Sequence, residues 1–487
     1  MRIESVAIKN LRCIKEGIAN LGAYTCLVGP NGAGKSTVLH ALNIFFRHIE
    51  DASTVVTSLT SEDFYLHDTT KPVEITVVFT DLPKEAEEDF KGYVRQGKLI
   101  ISVLATFDSK SNRAEVKQFG QRLGMAAFKP FFRAHGDGQP VGDLRAIFER
   151  LEGDIPDLAA GKSKRTKDAM YQTLREFEAE RTGQCEVIPS EDHFYGVSKG
   201  SNRLEKYVQW IFVPAVKDAS EEQSETKTGA LGKLLARTVR AKINFSQTME
   251  ALVTEARRRY QEMLDDNESA LSDVSEALQR RLSQWAHPAA TLRVAWQQDS
   301  SKAVKVDQPL AGIIAGESGY EGSLVRFGHG FQRSYLLALL QELASGDDKT
   351  APTLILGCEE PELYQHPPQA RHLAGVFDKL SQDSAQIIVT THSPYFVSGK
   401  NFESVRMVRR DLADSCASIR QYSYSKVAER FAEVVGEPPK EKSAALSKVH
   451  QALQPALNEM FFTQRLVLVE GLEDIAYICL LYTSRCV

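Results

Sequence analysis

Apolar and polar positions divide the chain into three rhythms. Residues 3–10 alternate, and 24–28 are continuously apolar, so the pattern predicts a strand pair, followed by an apolar helix over 37–46. A polar, turn-rich stretch at 50–70 precedes two further predicted strands, 73–79 and 99–107. From about 140 to 290 the pattern turns helical and polar, with helices predicted at 144–151, 167–180 and over the long stretch 229–285. In the last of these, Leu264, Leu271, Val274, Leu278 and Leu282 recur at three- and four-residue spacing. That spacing suits a helical hairpin or a dimerisation arm. Arg257–Arg259 and the pair Arg280 and Arg281 read as a solvated helix face. A buried strand at 210–215 interrupts the helices, and the polar run 217–228 reads as a loop. After Pro288, residues 291–296 and 303–306 predict a hairpin, and strand and helix then alternate to about 430. A helix over 443–462 leads into an apolar strand beginning at 466.

Between the strand at 24–28 and the helix at 37–46 stands Gly29-Pro30-Asn31-Gly32-Ala33-Gly34-Lys35-Ser36-Thr37. It satisfies the P-loop pattern G-x-x-x-x-G-K-[ST] in the strand–loop–helix setting the motif requires. The backbone of Gly29, Asn31, Gly32 and Gly34, with the helix start at Lys35, Ser36 and Thr37, is expected to wrap a phosphate with its N–H groups. Lys35 would reach the β- and γ-phosphates and Ser36 would bind Mg²⁺.

Three later stretches extend this site. A buried strand at 353–358 ends in Glu359-Glu360-Pro361-Glu362, and open α/β sheets place ligands at that end of their strands. Glu359 is expected to support Mg²⁺ and Glu360 to polarise the attacking water as general base. Adjacent carboxylates repel, which itself implies a nearby cation. A second buried strand, 386–391, ends in His392-Ser393-Pro394, placing His392 to sense a γ-phosphate. Phe327-Gly328-His329-Gly330-Phe331-Gln332-Arg333 precedes a predicted helix over 334–344, and its glycines form a second candidate phosphate nest.

Composition narrows the setting without redirecting it. At 487 residues the chain has room for about two to four domains. Its hydrophobic fraction of 43% and charged fraction of 25% are those of a globular protein. No apolar run reaches the roughly 18–20 residues that span a bilayer, so no membrane association is expected. Residues 1–6 alternate like an edge strand and lack the apolar core of a signal peptide. Seven scattered cysteines form no CxxC pair or disulfide framework, which suits a reducing cytoplasm. A net charge of −5 confines any DNA-binding surface to a local patch.

The order P-loop, long insert, glycine-rich loop, acidic strand, histidine strand resembles that of the ABC/SMC-like ATPases. The resemblance implies that Gly328, Gly330 and Gln332 complete the site of a partner subunit, hence a homodimer. Glu359-Glu360-Pro361-Glu362-Leu363-Tyr364-Gln365-His366-Pro367, and Val213-Pro214-Ala215-Val216-Lys217-Asp218 ahead of a Leu-rich helix, look like the OLD family of ATP-dependent endonucleases. This resemblance covers residues 1 to about 430 and implies ATP and Mg²⁺ as cofactors, DNA as partner, and a role in phage defence or DNA repair. The apolar run at 466–470, ending in Glu470-Gly471-x-x-Asp474, resembles the opening of a Toprim domain, the nuclease module of that family. Glu470 and Asp474 would there serve a metal site. Cys479-Leu480-Leu481-Tyr482-Thr483-Ser484 equals the translation of a transposon adapter end used in sequencing libraries, so residues 479–487 are expected to be foreign and the natural chain to continue past 478.

The expected fold is therefore α/β: an ABC-type P-loop ATPase with an inserted helical arm or dimerisation region, followed by the start of a Toprim domain. Its parts are residues 1–150 with the P-loop, a mostly helical insert at 151–290, residues 291–430 with the remaining ATPase motifs, a helical linker at 431–465, and the Toprim strand at 466–478. The alternative is an SMC-like DNA-repair clamp without nuclease activity.

Overall fold

The computed structural model describes residues 1–46, 59–136, 138–155, 157–158, 166–191, 203–215, 245–284, 291–296, 311–344, 352–383, 385–397, 401–411, 415–436, 438, 442–453, 457–463, 466–467 and 469–485. Two compact units emerge, one of residues 1–217 and 344–487, the other of 218–343.

In the first unit, β1 (Arg2–Leu11) turns back into β2 (Ile14–Asn20) as an antiparallel pair. β3 (Tyr24–Val28) does not join them. The expected pairing of the first strand with 24–28 is thus corrected, and the reason lies in the side chains. β1 alternates, burying one face, whereas all five residues of β3 are buried, as in a strand covered on both sides. β4 (Val73–Thr80), β5 (Val94–Arg95), β6 (Lys98–Asp108), β7 (Arg113–Gly124) and β8 (Glu186–Glu191) extend the first sheet in the order β2-β1-β4-β6-β7-β8, with β5 on β6. β9 (Val208–Val213) belongs to the sheet of β3. A small hairpin, β10 (Ala315–Glu317) and β11 (Tyr320–Gly322), lies in the second unit. β12 (Thr353–Glu359), β13 (Ala385–Thr390), β14 (Val405–Arg410) and β15 (Ala417–Arg420) complete the β3 sheet in the order β15-β14-β3-β13-β12-β9. Its pairs are parallel except β14 with β15.

The P-loop helix α1 (Lys35–Phe45) packs against strands of both sheets. It is buried almost all round, as a helix between two layers is. Its buried polar groups are paired: Asn43 Oδ1 accepts from Trp210 Nε1 at 2.8 Å, and the Phe45 carbonyl accepts from Gln118 Nε2 at 2.6 Å. Trp210 also explains a glycine in β12. A Cβ on Gly357 would stand 2.4 Å from the indole, so only glycine lets β9 and β12 pair there. Beyond α2 (Lys84–Asp89), the helices α3 (Lys129–Gly136), α4 (Val141–Asp154) and α5 (Lys167–Glu180) enclose a separate core of Phe128, Phe131, Leu144, Phe148, Met170 and Leu174.

In the second unit, α6 (Phe245–Asp266) and α7 (Glu268–Gln284) are separated by Asn267. The strand expected at 291–296 does not form. The N–H groups of Leu292 and Val294 are taken by Gln279 Oε1 and Ser275 Oγ of α7. Its expected partner at 303–306, and the loop expected at 217–228, lie outside the described residues. α8 (His329–Ala344) closes this part of the chain.

The first unit resumes with α9 (Pro367–Asp383) and α10 (Tyr424–Val435). The helix expected over 443–462 is shorter. α11 (Lys442–Ala452) stops three residues before Pro455, which disfavours helix in the residue ahead of it, and a 3₁₀ turn covers Asn458–Phe461. No strand forms among the described residues from 466. Leu466, Val467 and Val469 lie exposed outside any strand, and α12 (Leu472–Arg485) follows. A strand needs a neighbour for its backbone groups, and none of the described strands pairs there.

A buried amide joins the two sheets at β1 and β13. β2 ends at Asn20, opposite Ser5, so the backbone of Ile3 extends past its hairpin partner. The buried amide of Gln386 on β13 takes its place, accepting from the Ile3 N–H at 2.8 Å and donating to the carbonyls of Ile3 at 2.7 Å and Gly22 at 3.0 Å. Gln386→Leu strands these three backbone groups and is expected to cost on the order of 3 kcal/mol in chemical denaturation.

Candidate functional site

The site is assembled by strand register. Glu359 of β12 pairs with Thr390 of β13, and Thr390 pairs with Leu27 of β3. The three chains therefore leave the sheet at one edge, bringing the P-loop, Glu359–Glu362 and Thr391–His392 together. Ligands of open α/β sheets bind at this carboxyl edge.

The P-loop turns sharply because Gly29 has φ +151° and no Cβ; a Cβ there would lie 2.1 Å from the Val408 carbonyl oxygen. Gly34, with φ +104°, caps α1. No side chain caps this helix and no acidic residue sits in its first turn, so its N-terminus suits an anion. Ser36 and Thr37 occupy that first turn, and Asn31 and Gly32 are exposed at the loop tip.

Lys35 is buried, and its ammonium has three donors for three acceptors: Gly29 O at 3.0 Å, Pro30 O at 3.1 Å and His392 Nε2 at 2.8 Å. Burial pulls the Lys35 pKa down, opposed by Glu360 and Glu362. An ammonium donating to Nε2 requires a neutral imidazole. The His392 pKa is indeed lowered, first by burial and then by the Lys35 charge, against the pull of Glu360. Glu360 Oε1 lies 3.9 Å from His392 Nε2. The Glu360 backbone holds φ +41°, a conformation few non-glycine residues adopt, anchored by its N–H to Thr390 O at 2.8 Å. Lys35, Glu360 and His392 are thus brought together at the edge of the sheet.

Glu359 faces a different neighbour. Its Oε1 lies 3.8 Å from His40 Nε2, one turn along α1 from Ser36, and its Oε2 accepts from the Ala215 N–H at 3.4 Å. Sequence reasoning missed His40; the signal was a polar residue, like Asn43, within the apolar run of a buried helix. It also missed Glu362, whose Oε1 accepts from Thr391 Oγ1 at 2.7 Å and the His392 N–H at 2.8 Å. The Ser36 hydroxyl and the Glu359 carboxylate are hard oxygen donors, and Mg²⁺ in nucleotide sites takes one or two such protein ligands beside phosphate oxygens. Among the described residues no group of three His, Cys, Asp or Glu side chains converges as a metal site.

The remaining expected residues stand elsewhere in the chain. Gly328 and Gly330 were expected in a loop before a helix at 334, but α8 begins at His329, so Gly330 lies in its first turn. Gln332 is buried and its Nε2 donates to Val325 O and Phe327 O, shaping the loop of its own chain. Phe327 and Phe331 stack at 4.7 Å beside the buried Leu324. Glu470 and Asp474 meet through the backbone: Asp474 Oδ2 accepts the N–H groups of Glu470 at 2.9 Å and Gly471 at 3.3 Å at the start of α12.

Downstream of the histidine strand, the chain returns to it. The fully buried Asn458 donates to Pro394 O at 3.1 Å and Val397 O at 2.7 Å, and the Phe462 ring lies 5.7 Å from that of His392.

A parallel sheet with a P-loop at its carboxyl edge, an acidic strand beside it and a histidine on the strand between define a P-loop ATPase. The chain belongs to the AAA ATPase domain family, which it matches over residues 1–397. It is 24% identical to an OLD nuclease of Thermus scotoductus over 97% of this chain and 72% of that protein, and 24% identical to the Old nuclease of Escherichia phage P2 over 99% and 70%. Among solved structures, it resembles an Smc head bound to the C-winged helix domain of ScpA, at 15% identity and a TM-score of 0.43 over 87% of this chain and 98% of that one. A Pyrococcus furiosus Smc head with an extended coiled coil aligns at 14% identity and a TM-score of 0.42, over 89% and 99%. No helix among the described residues is long and apolar enough to cross a membrane.

A lowered His392 pKa means that the unfolded chain takes up the proton first as pH falls below 6.5. This histidine's contribution to stability is therefore lost as pH falls through its folded value. Ring-nitrogen NMR is expected to show His392 titrating below 6.5. In Lys35→Met its pKa rises but stays depressed, because burial is the larger cause.

Proposed function

We propose that this chain binds and hydrolyses ATP with Mg²⁺, as the ATPase part of an OLD-like DNA endonuclease whose DNA processing answers to nucleotide state. The convergence of Lys35, Glu360 and His392 at the carboxyl edge of the sheet carries this reading. The P-loop N–H groups and the start of α1 bind the phosphates, and Lys35 exchanges a hydrogen bond to His392 or a loop carbonyl for a phosphate oxygen. Glu360 accepts the proton of the attacking water, and His392, neutral and adjacent, contributes a hydrogen bond at the terminal phosphate. Ser36 and Glu359 hold Mg²⁺, which would supply charge neutralisation at the phosphates. Gly328 and Gly330, at the start of α8, complete the site in a second copy of the chain.

Two relatives that carry the name OLD nuclease, each aligned over nearly the whole chain, favour the nuclease class over an SMC-like clamp. DNA is accordingly the proposed substrate of the complete assembly. Glu470 and Asp474 carry no part of this reading in the geometry they have here. The contact between His392 and Phe462 supports a route by which the phosphate state reaches the C-terminal part of the chain.

Glu360→Gln is expected to lower ATP turnover by about 10²–10⁴-fold with ATP still bound, the range of a lost general base. Turnover at the wild-type rate removes the assignment. Hydrogen exchange over residues 457–463 is expected to change when ATP and Mg²⁺ are added to the wild type and to stay unchanged in His392→Ala. An equal response in both proteins argues against the route through His392.

A further inference from the structure

The ATPase reading gives roles to Glu359, Glu360 and His392 and none to Glu362. Yet Glu362 is the residue that grips the switch loop. Its Oε1 accepts two hydrogen bonds, from Thr391 Oγ1 at 2.7 Å and the His392 N–H at 2.8 Å. Thr391 Oγ1 in turn accepts from the Ser393 N–H at 2.9 Å. One carboxylate oxygen thereby fixes the backbone on both sides of His392. Glu362 is itself set by the turn that holds Glu360, in which the Leu363 N–H donates to the Glu360 carbonyl at 2.9 Å. Its other oxygen, Oε2, is buried with no hydrogen-bond partner.

We infer that Glu362 is the positioning residue of the switch histidine: it orients the His392 imidazole toward Lys35 and Glu360 by holding the Thr391–Ser393 backbone. The inference rests on the ATPase reading for its kinetic consequence and on geometry alone for its structural one. Only the acceptor at Oε1 is required. Burial raises the Glu362 pKa, and a proton on Oε2 leaves both hydrogen bonds to Oε1 in place. Glutamine keeps that acceptor, with an amide nitrogen in place of Oε2, whereas alanine removes it. Thr391→Val cuts the bridge to Ser393 while keeping the His392 N–H bond.

The test compares Glu362→Ala, Glu362→Gln and Thr391→Val with the wild-type full chain, using ATP with Mg²⁺ for turnover and ring-nitrogen NMR for His392. Glu362→Ala is expected to lower kcat by about tenfold or more, with KM within about threefold, as for a group that acts through alignment. The His392 pKa rises toward its ordinary value as the freed ring gains solvent. Glu362→Gln stays within about threefold of wild type in kcat and keeps the wild-type His392 titration. Thr391→Val falls between the two, and decides the matter if Glu362→Ala does not fold. The inference is overturned if Glu362→Ala retains wild-type turnover and titration, if glutamine is as damaging as alanine, or if Thr391→Val matches the wild type. Were the wild type to hydrolyse no ATP, the ATPase reading would fall, and the NMR arm would still decide the role of Glu362.

Discussion

The parallel register of β3, β13 and β12 is the constraint on which the rest of the molecule depends. Side chains alternate across a strand, so a slip of one residue would turn every side chain of that strand to the other face. With Leu27, Thr390 and Glu359 in register, the P-loop, His392 and the acidic turn leave the sheet side by side. Their apolar sequences suit this role, since each of these strands is covered on both faces. Two local contacts hold the arrangement against its neighbours. Trp210 fills the space left by Gly357, and Gln386 ties the edge of the antiparallel sheet to the centre of the parallel one.

The electrostatics of the site follow from this packing. Withdrawing Lys35 from water is unfavourable unless its donors are satisfied. Two loop carbonyls and one imidazole satisfy them, and two nearby carboxylates favour the charged form. The same ammonium helps keep His392 neutral. An anionic phosphate at the P-loop would compete for these donors and thereby alter the surroundings of His392. The histidine thus stands where a phosphate-dependent change in hydrogen bonding can be felt by neighbouring residues. Glu362 binds its backbone from one side and Phe462 meets its ring from another.

The second unit is built on different terms. Its long helices carry exposed pairs within one helix, such as Arg258 with Glu255, which contribute little in water. Its better-buried part is the small cluster at Leu324, Phe327 and Phe331, where the glycine-rich loop is shaped by Gln332.

The local motifs were legible in the sequence because their requirements are local. A strand, a glycine turn and an apolar helix in succession specify a P-loop, and acidic or histidine residues at the end of an apolar run mark a sheet edge. The existence of β4, β6, β9, β12 and β13 could be read from the same patterns. Long-range pairing could not. Whether residues 24–28 join β1 or a distant parallel sheet depends on partners more than 350 residues away. Whether 291–296 and 466–470 become strands depends on an available edge, which apolar pattern alone does not supply. His40 and Glu362 were missed for the same reason, since a buried polar residue reveals its role only through the group that it meets. The sequence by itself determined which segments form the glycine turn and which apolar runs end in the acid and the histidine. Only the tertiary structure decided that Lys35, His392 and Glu360 meet and that Glu362 holds the loop between them, because hydrogen bonds between distant segments are specified by packing and register rather than by local pattern.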